Sequence, residues 1–233
     1  MRRLTGASAS ALLTLGPPGG YVVRSMAPPK LTLSFKRLRK SLNRGDTLLD
    51  KFFDRPGGKV RSVGKPKAHE QELLRAVLVL TIGSLDAFLS ELLVELLPGM
   101  ARVSPEAAVF DRVAKENPGL VLRAMYLGGI EEALSEAIEA HFQAKTMHGA
   151  KAVRQVSDWC SLGLSDASYN STRFPAALPT FDGWTEKRHR IVHTGELVKM
   201  KRTDASDVIA LVESIGKTLN DAARKTYGSV ALI

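Results

Sequence analysis

The chain has 233 residues, of which 44% are apolar and 24% charged, proportions that suit a globular protein with a buried core. Its single cysteine, Cys160, excludes an intrachain disulfide and a cysteine-based zinc site, and fits a reducing compartment. The formal net charge is +9, but nine of the 33 Lys/Arg precede the first acid, Asp46, which leaves 24 Lys/Arg against 24 Asp/Glu in residues 46–233. The excess therefore belongs to an N-terminal arm and is not spread over the chain as a general polyanion-binding composition.

In chain order, residues 1–30 are rich in Gly, Ala, Ser and Pro and predict disorder. The apolar run Ala11-Leu12-Leu13-Thr14-Leu15 is short for a secretory signal, and Pro17-Pro18 interrupts it. Arginine without acid is also the character of an organellar transit peptide. The preferred expectation is a true start at Met26, with the preceding residues an artefact of the assigned start. From Leu31 to Phe53 apolar residues recur at helical spacing, with a break expected at Asn43-Arg44-Gly45. Asp54 to Pro66 reads as a basic loop, from Pro56-Gly57-Gly58 and Gly64-Lys65-Pro66.

The strongest helix is predicted from about His69 to Leu97, ended by Pro98-Gly99. Ten uncharged residues separate Arg75 from Asp86, about half of what a bilayer requires, so the expectation is a core helix and no membrane partner. Ser104-Pro105-Glu106 opens a helix that stops before Asn117-Pro118-Gly119. Leu120–Met125, Ile130–Phe142 and Ala150–Leu162 read as further helices, and Gly163–Thr180 as mostly irregular. Asp182 is the expected N-cap of the next helix and Gly195 its left-handed end. Thr203 or Asp204 caps a last helix with the stripe Val208, Ile209, Leu211, Val212, Ile215, Leu219 and Ala222. No segment alternates with period two. The expected fold is all-α, an antiparallel helical bundle, divided as residues 1–30 (extension), 31–66 (N-terminal helices and basic loop) and 67–228 (helical domain).

Chemistry concentrates in Trp184 to Gly195. Arg188 and His193 are five residues apart, roughly 7.5 Å along a helix axis and about 140° around it. His189 and His193, at i and i+4, share a face. A permanently charged guanidinium and an imidazole that titrates near neutrality are what phosphodiester chemistry asks of a protein without a metal. RNA cleavage by 2′-hydroxyl attack needs a base at that hydroxyl, an acid at the 5′-oxygen and donors for the phosphorane. Arg188 suits the donor role and His193 the proton transfer, its protonated form favoured by the end of the helix. His189 binds substrate, orients His193 or carries a second proton, and Lys187 and Arg190 add positive charge for substrate binding. The competing reading makes these ordinary surface residues, with Arg188 and Arg190 paired to Glu186 and Glu196. A zinc site on His189 and His193 lacks the adjacent glutamate and a third ligand, so neither metal nor cofactor is expected. His69, His141 and His148 are scattered and take no role.

The segment Lys187-Arg188-His189-Arg190-Ile191-Val192-His193-Thr194-Gly195 resembles the HEPN superfamily, most closely its RiboL-PSP-HEPN type, whose motif commonly reads Arg-Arg-His-x-Ile-Val-His-Arg-Gly. The upstream helix around Leu85-Asp86-Ala87-Phe88-Leu89 is similar to that family's second signature, and the resemblance spans roughly residues 70–225. Lys187 and Thr194 depart from the pattern; Arg188 and His193 keep it. The resemblance implies a helical domain that commonly dimerises and often acts as a metal-independent endoribonuclease, in some members as a toxin or anti-phage effector. The expectation is thus a cytoplasmic ribonuclease of toxin or defence type. RNA is its substrate, a homodimer supplies a second histidine, and a neutralising antitoxin is a candidate partner. The alternative is a non-catalytic module binding RNA or a protein through the same basic face.

Overall fold

Apolar residues spaced three and four apart line one buried side after another in the computed structural model, which describes residues 32–53, 66–103, 109–111, 115, 118–119 and 148–228. Every regular element among them is helical, as the sequence predicts. These are α1 (Leu33–Phe53), α2 (Ala68–Val103), α3 (Gly149–Trp159), a 3-10 turn (Asp166–Tyr169), α4 (Ala177–His189), a π turn (Arg190–Thr194) and α5 (Arg202–Tyr227). The expectations for the basic arm, the loop at 54–65, the helices at Leu120–Met125 and Ile130–Phe142, and most of the helix after Ser104 lie outside the described residues.

The long helices α1, α2 and α5 pack on one another, and α3 and α4 lie against α2. Helix α2 is the centre, with Leu74, Val77, Leu78, Ile82, Leu85, Leu92 and Leu93 fully buried. Phe35 of α1 meets Phe88 of α2 edge to face, with ring centroids 6.0 Å apart. Tertiary contacts also cap α1: the Glu95 carboxylate of α2 accepts from the Leu33 and Ser34 amides at 2.8 and 2.9 Å. Asn220 Oδ1 of α5 accepts from the Thr32 amide and hydroxyl at 3.2 and 3.0 Å.

Two expected helix ends do not occur. Helix α1 runs straight through Asn43-Arg44-Gly45. A glycine there costs about 0.5–1 kcal/mol of helix propensity, but Leu42 and Leu49 are buried on either side. The missing side chain also admits α5, since a Cβ on Gly45 would lie 3.2 Å from Ile209 Cδ1. Helix α2 likewise continues past Pro98-Gly99 to Val103. Burial of Leu96, Leu97 and Met100 on both sides outweighs the one hydrogen bond that proline removes.

By length and composition Ala68–Leu97 is apolar enough to cross a membrane, more than the gap between Arg75 and Asp86 suggests; half of its most apolar window is buried inside the structure. Arg75, itself buried, donates from Nη1 to Val198 O at 3.1 Å.

Candidate active site around Arg188

Helix α4 starts at Ala177, ahead of the expected Asp182. Ala177, Leu178 and Phe181 are fully buried and extend the helical face backwards, while Asn170 Oδ1 accepts from the Ala177 amide at 3.1 Å. Asp182, no longer at the helix start, reaches across to α3 instead. Its Oδ1 accepts from the Ala150 amide at 2.7 Å and caps α3, where the first turn exposes unbonded N–H groups. That contact needs Gly149. Its φ is +72°, and a Cβ would sit 2.7 Å from Asp182 Oδ1. Gly149→Ala is therefore expected to destabilise the fold by about 1–3 kcal/mol, read as a shift in the denaturant midpoint at unchanged slope.

Arg188 and His189 occupy the last turn of α4, and the chain then widens into the π turn Arg190–Thr194. Gly195 is left-handed at φ 66°, as the sequence predicts, and its amide donates to Arg190 O. Thr194 Oγ1 and the Glu196 amide converge on the same carbonyl at 2.6 and 3.3 Å. A turn that closes i to i+5 rotates less per residue than an α-turn, so His193 swings nearer to the side of Arg188 than the ~140° expected of an α-helix. His193 packs against His189 with ring centroids 4.5 Å apart at 39°. The connector that follows is pinned to α2: Gln71 Oε1 accepts from the Met200 amide at 2.9 Å and Gln71 Nε2 donates to Met200 O at 2.8 Å.

Arg188 and His189 face a surface pocket of about 490 Å³ whose other polar walls are His148, Asp182, Thr185 and Glu186. The remaining motif cations are engaged elsewhere. Arg190 Nη1 pairs with Glu196 at 3.1 Å, as the surface reading foresaw, and Lys187 Nζ lies 3.8 Å from the centre of the Trp184 ring. Arg188 makes no ion pair of that kind among the described residues, although its charge acts on Asp86; its Nε, like that of Arg190, is buried without a hydrogen bond. The lone Cys160 is buried, and that burial pushes its thiol pKa up.

Sequence reasoning missed two residues here, His148 and Asp86. His148 stands at the N-cap position of α3 but does not cap it. Its Nδ1 meets Asp86 Oδ2 of α2 at 2.8 Å, with side chains 29% and 17% exposed. The available signal was Asp86 itself, an acid inside an apolar helix, which must find a partner if that helix is buried.

Burial holds the Asp86 carboxyl above the ordinary carboxylate range, and His148 and Arg188 pull it back only in part. The folded chain thus keeps a proton on Asp86 at pH values where the unfolded chain has lost it. Its contribution is favourable below the unfolded pKa of about 3.9 and is lost as pH rises through the raised folded value. Asp86→Asn should accordingly gain melting temperature relative to wild type as pH climbs from about 4 towards neutrality. A difference that stays flat with pH would contradict this. No family model matches the chain, and no curated protein or solved structure matches it either.

Proposed function

We propose that the protein is a metal-independent endoribonuclease of toxin or defence type, an antiparallel helical bundle of the HEPN kind acting through Arg188 and His193. The observation that supports the reading is that Arg188 and His189 line one pocket, while His193, outside the lining, packs its ring on His189 at 4.5 Å between centroids. Arg188 presents parallel N–H donors to the non-bridging oxygens, where charge grows as the 2′-oxygen attacks phosphorus. His193 is exposed and delivers the proton to the departing 5′-oxygen. His189 holds the His193 ring by stacking on it and lines the substrate pocket. Val192 and Leu197, 45% and 70% exposed on either side of His193, offer an apolar edge to a second copy.

The test is incubation of the purified protein with mixed tRNA and rRNA in EDTA, followed by analysis of the product ends. Cleavage that leaves 2′,3′-cyclic phosphates and 5′-hydroxyls is the expected result. Intact RNA across a range of pH and salt would reject the enzyme and leave a binding module.

A further inference from the structure

We infer that His148, held by Asp86, is the second proton-transfer group of the Arg188 pocket, so that one chain carries both the base and the acid for RNA transesterification. The inference rests on the ribonuclease reading above and removes its need for a second copy to supply another histidine.

The geometry is that of an oriented imidazole. The Nδ1 contact with Asp86 at 2.8 Å selects the tautomer with a proton on Nδ1 and leaves Nε2 as the nitrogen that can accept one. The two partners are 62 residues apart in sequence, so only the packing of α3 beside α2 brings them together. The backbone beside the ring is fixed as well, by the left-handed Gly149 and the Asp182 cap on Ala150. At 29% exposure the ring is sheltered yet reachable, and it shares its pocket with Arg188 and His189. The charged groups around it are Asp86 from α2 and Asp182, Glu186 and Arg188 from α4.

Asp86 Oδ1 is buried without a hydrogen bond among the described residues, an arrangement that costs stability and therefore calls for a physical reason. In the step envisaged, His148 Nε2 takes the proton of the 2′-hydroxyl as the 2′-oxygen forms its bond to phosphorus. The bond from phosphorus to the 5′-oxygen breaks, and the proton on His193 passes to that oxygen. Arg188 carries the extra negative charge on the non-bridging oxygens. Asp86 is a positioning residue: it orients the ring, stabilises the imidazolium that forms, and takes no proton from it.

The experiment compares full-length wild type, His148→Ala, His148→Gln, Asp86→Asn and His193→Ala on RNA in EDTA, with melting curves for each. His148→Ala is expected to lower kcat by at least about 10²-fold with little change in KM, and added imidazole to restore part of the rate. His148→Gln, which retains polarity and much of the volume, should be equally slow. Asp86→Asn should lower kcat and also change the ¹⁵N shifts of the His148 ring, reporting a redistributed tautomer. An active wild type with inactive His193→Ala but undiminished His148→Ala, or an active His148→Gln, would overturn the role of His148 alone. A wild type that cleaves nothing would overturn the ribonuclease reading and this inference together.

Discussion

If the protein is the ribonuclease proposed, replacing His193 by Ala is expected to lower RNA cleavage by about 10²–10⁴-fold and to leave RNA affinity near that of wild type. The size follows from what would be removed: an imidazole in the π turn that, in the proposed mechanism, moves a proton in the cleavage step. The selectivity follows from what is kept. His193 is exposed and belongs to no part of the core, so its loss should change stability by no more than about 0.5 kcal/mol. Arg188 and the pocket walls, which would hold the phosphate, stay in place. Cleavage measured beside binding of a 2′-deoxy oligonucleotide separates the two effects. In cells, toxicity on expression should disappear with the same substitution. An unchanged rate for His193→Ala in a protein that does cleave RNA would move the acid to another group and sink the assignment.

Arg188→Lys is expected to give the second large effect under the proposed mechanism, a fall in kcat of about 10²–10³-fold even though the charge is retained. A guanidinium offers a planar fork of donors that matches two phosphoryl oxygens, whereas an ammonium is a point charge with rotatable donors. The contrast with Arg190 makes the prediction specific. Arg190 is already committed to Glu196 at 3.1 Å and does not line the pocket, so Arg190→Lys should leave the rate close to wild type. Steady-state rates for the two variants side by side decide it. Equal losses would mean that net positive charge on this face matters rather than the placement of one guanidinium.

The sequence by itself determined the helical class, the buried stripes and the end of the motif segment. Those properties are local: Leu74, Val77, Leu85 and Leu92 repeat at helical spacing because one face of α2 must leave water, and all four are buried, whereas Leu80, expected on the same face, is 57% exposed. Gly195 terminates the π turn in the left-handed conformation that glycine adopts without steric cost, and this too was legible from the residue alone.

Only the tertiary structure decided where helices persist and which polar groups meet. Asn43-Arg44-Gly45 and Pro98-Gly99 are breakers by propensity, yet α1 and α2 continue through them because buried apolar residues on both sides contribute more than the local penalty. Asp182 reads as a cap for its own helix and instead caps α3, since α4 already began at the buried Ala177. The pairing of His148 with Asp86 had no local signature, because the two residues are 62 apart and meet through the packing of separate helices. Periodicity records which side of a helix is apolar, whereas the meeting of a distant acid and base depends on how those sides dock.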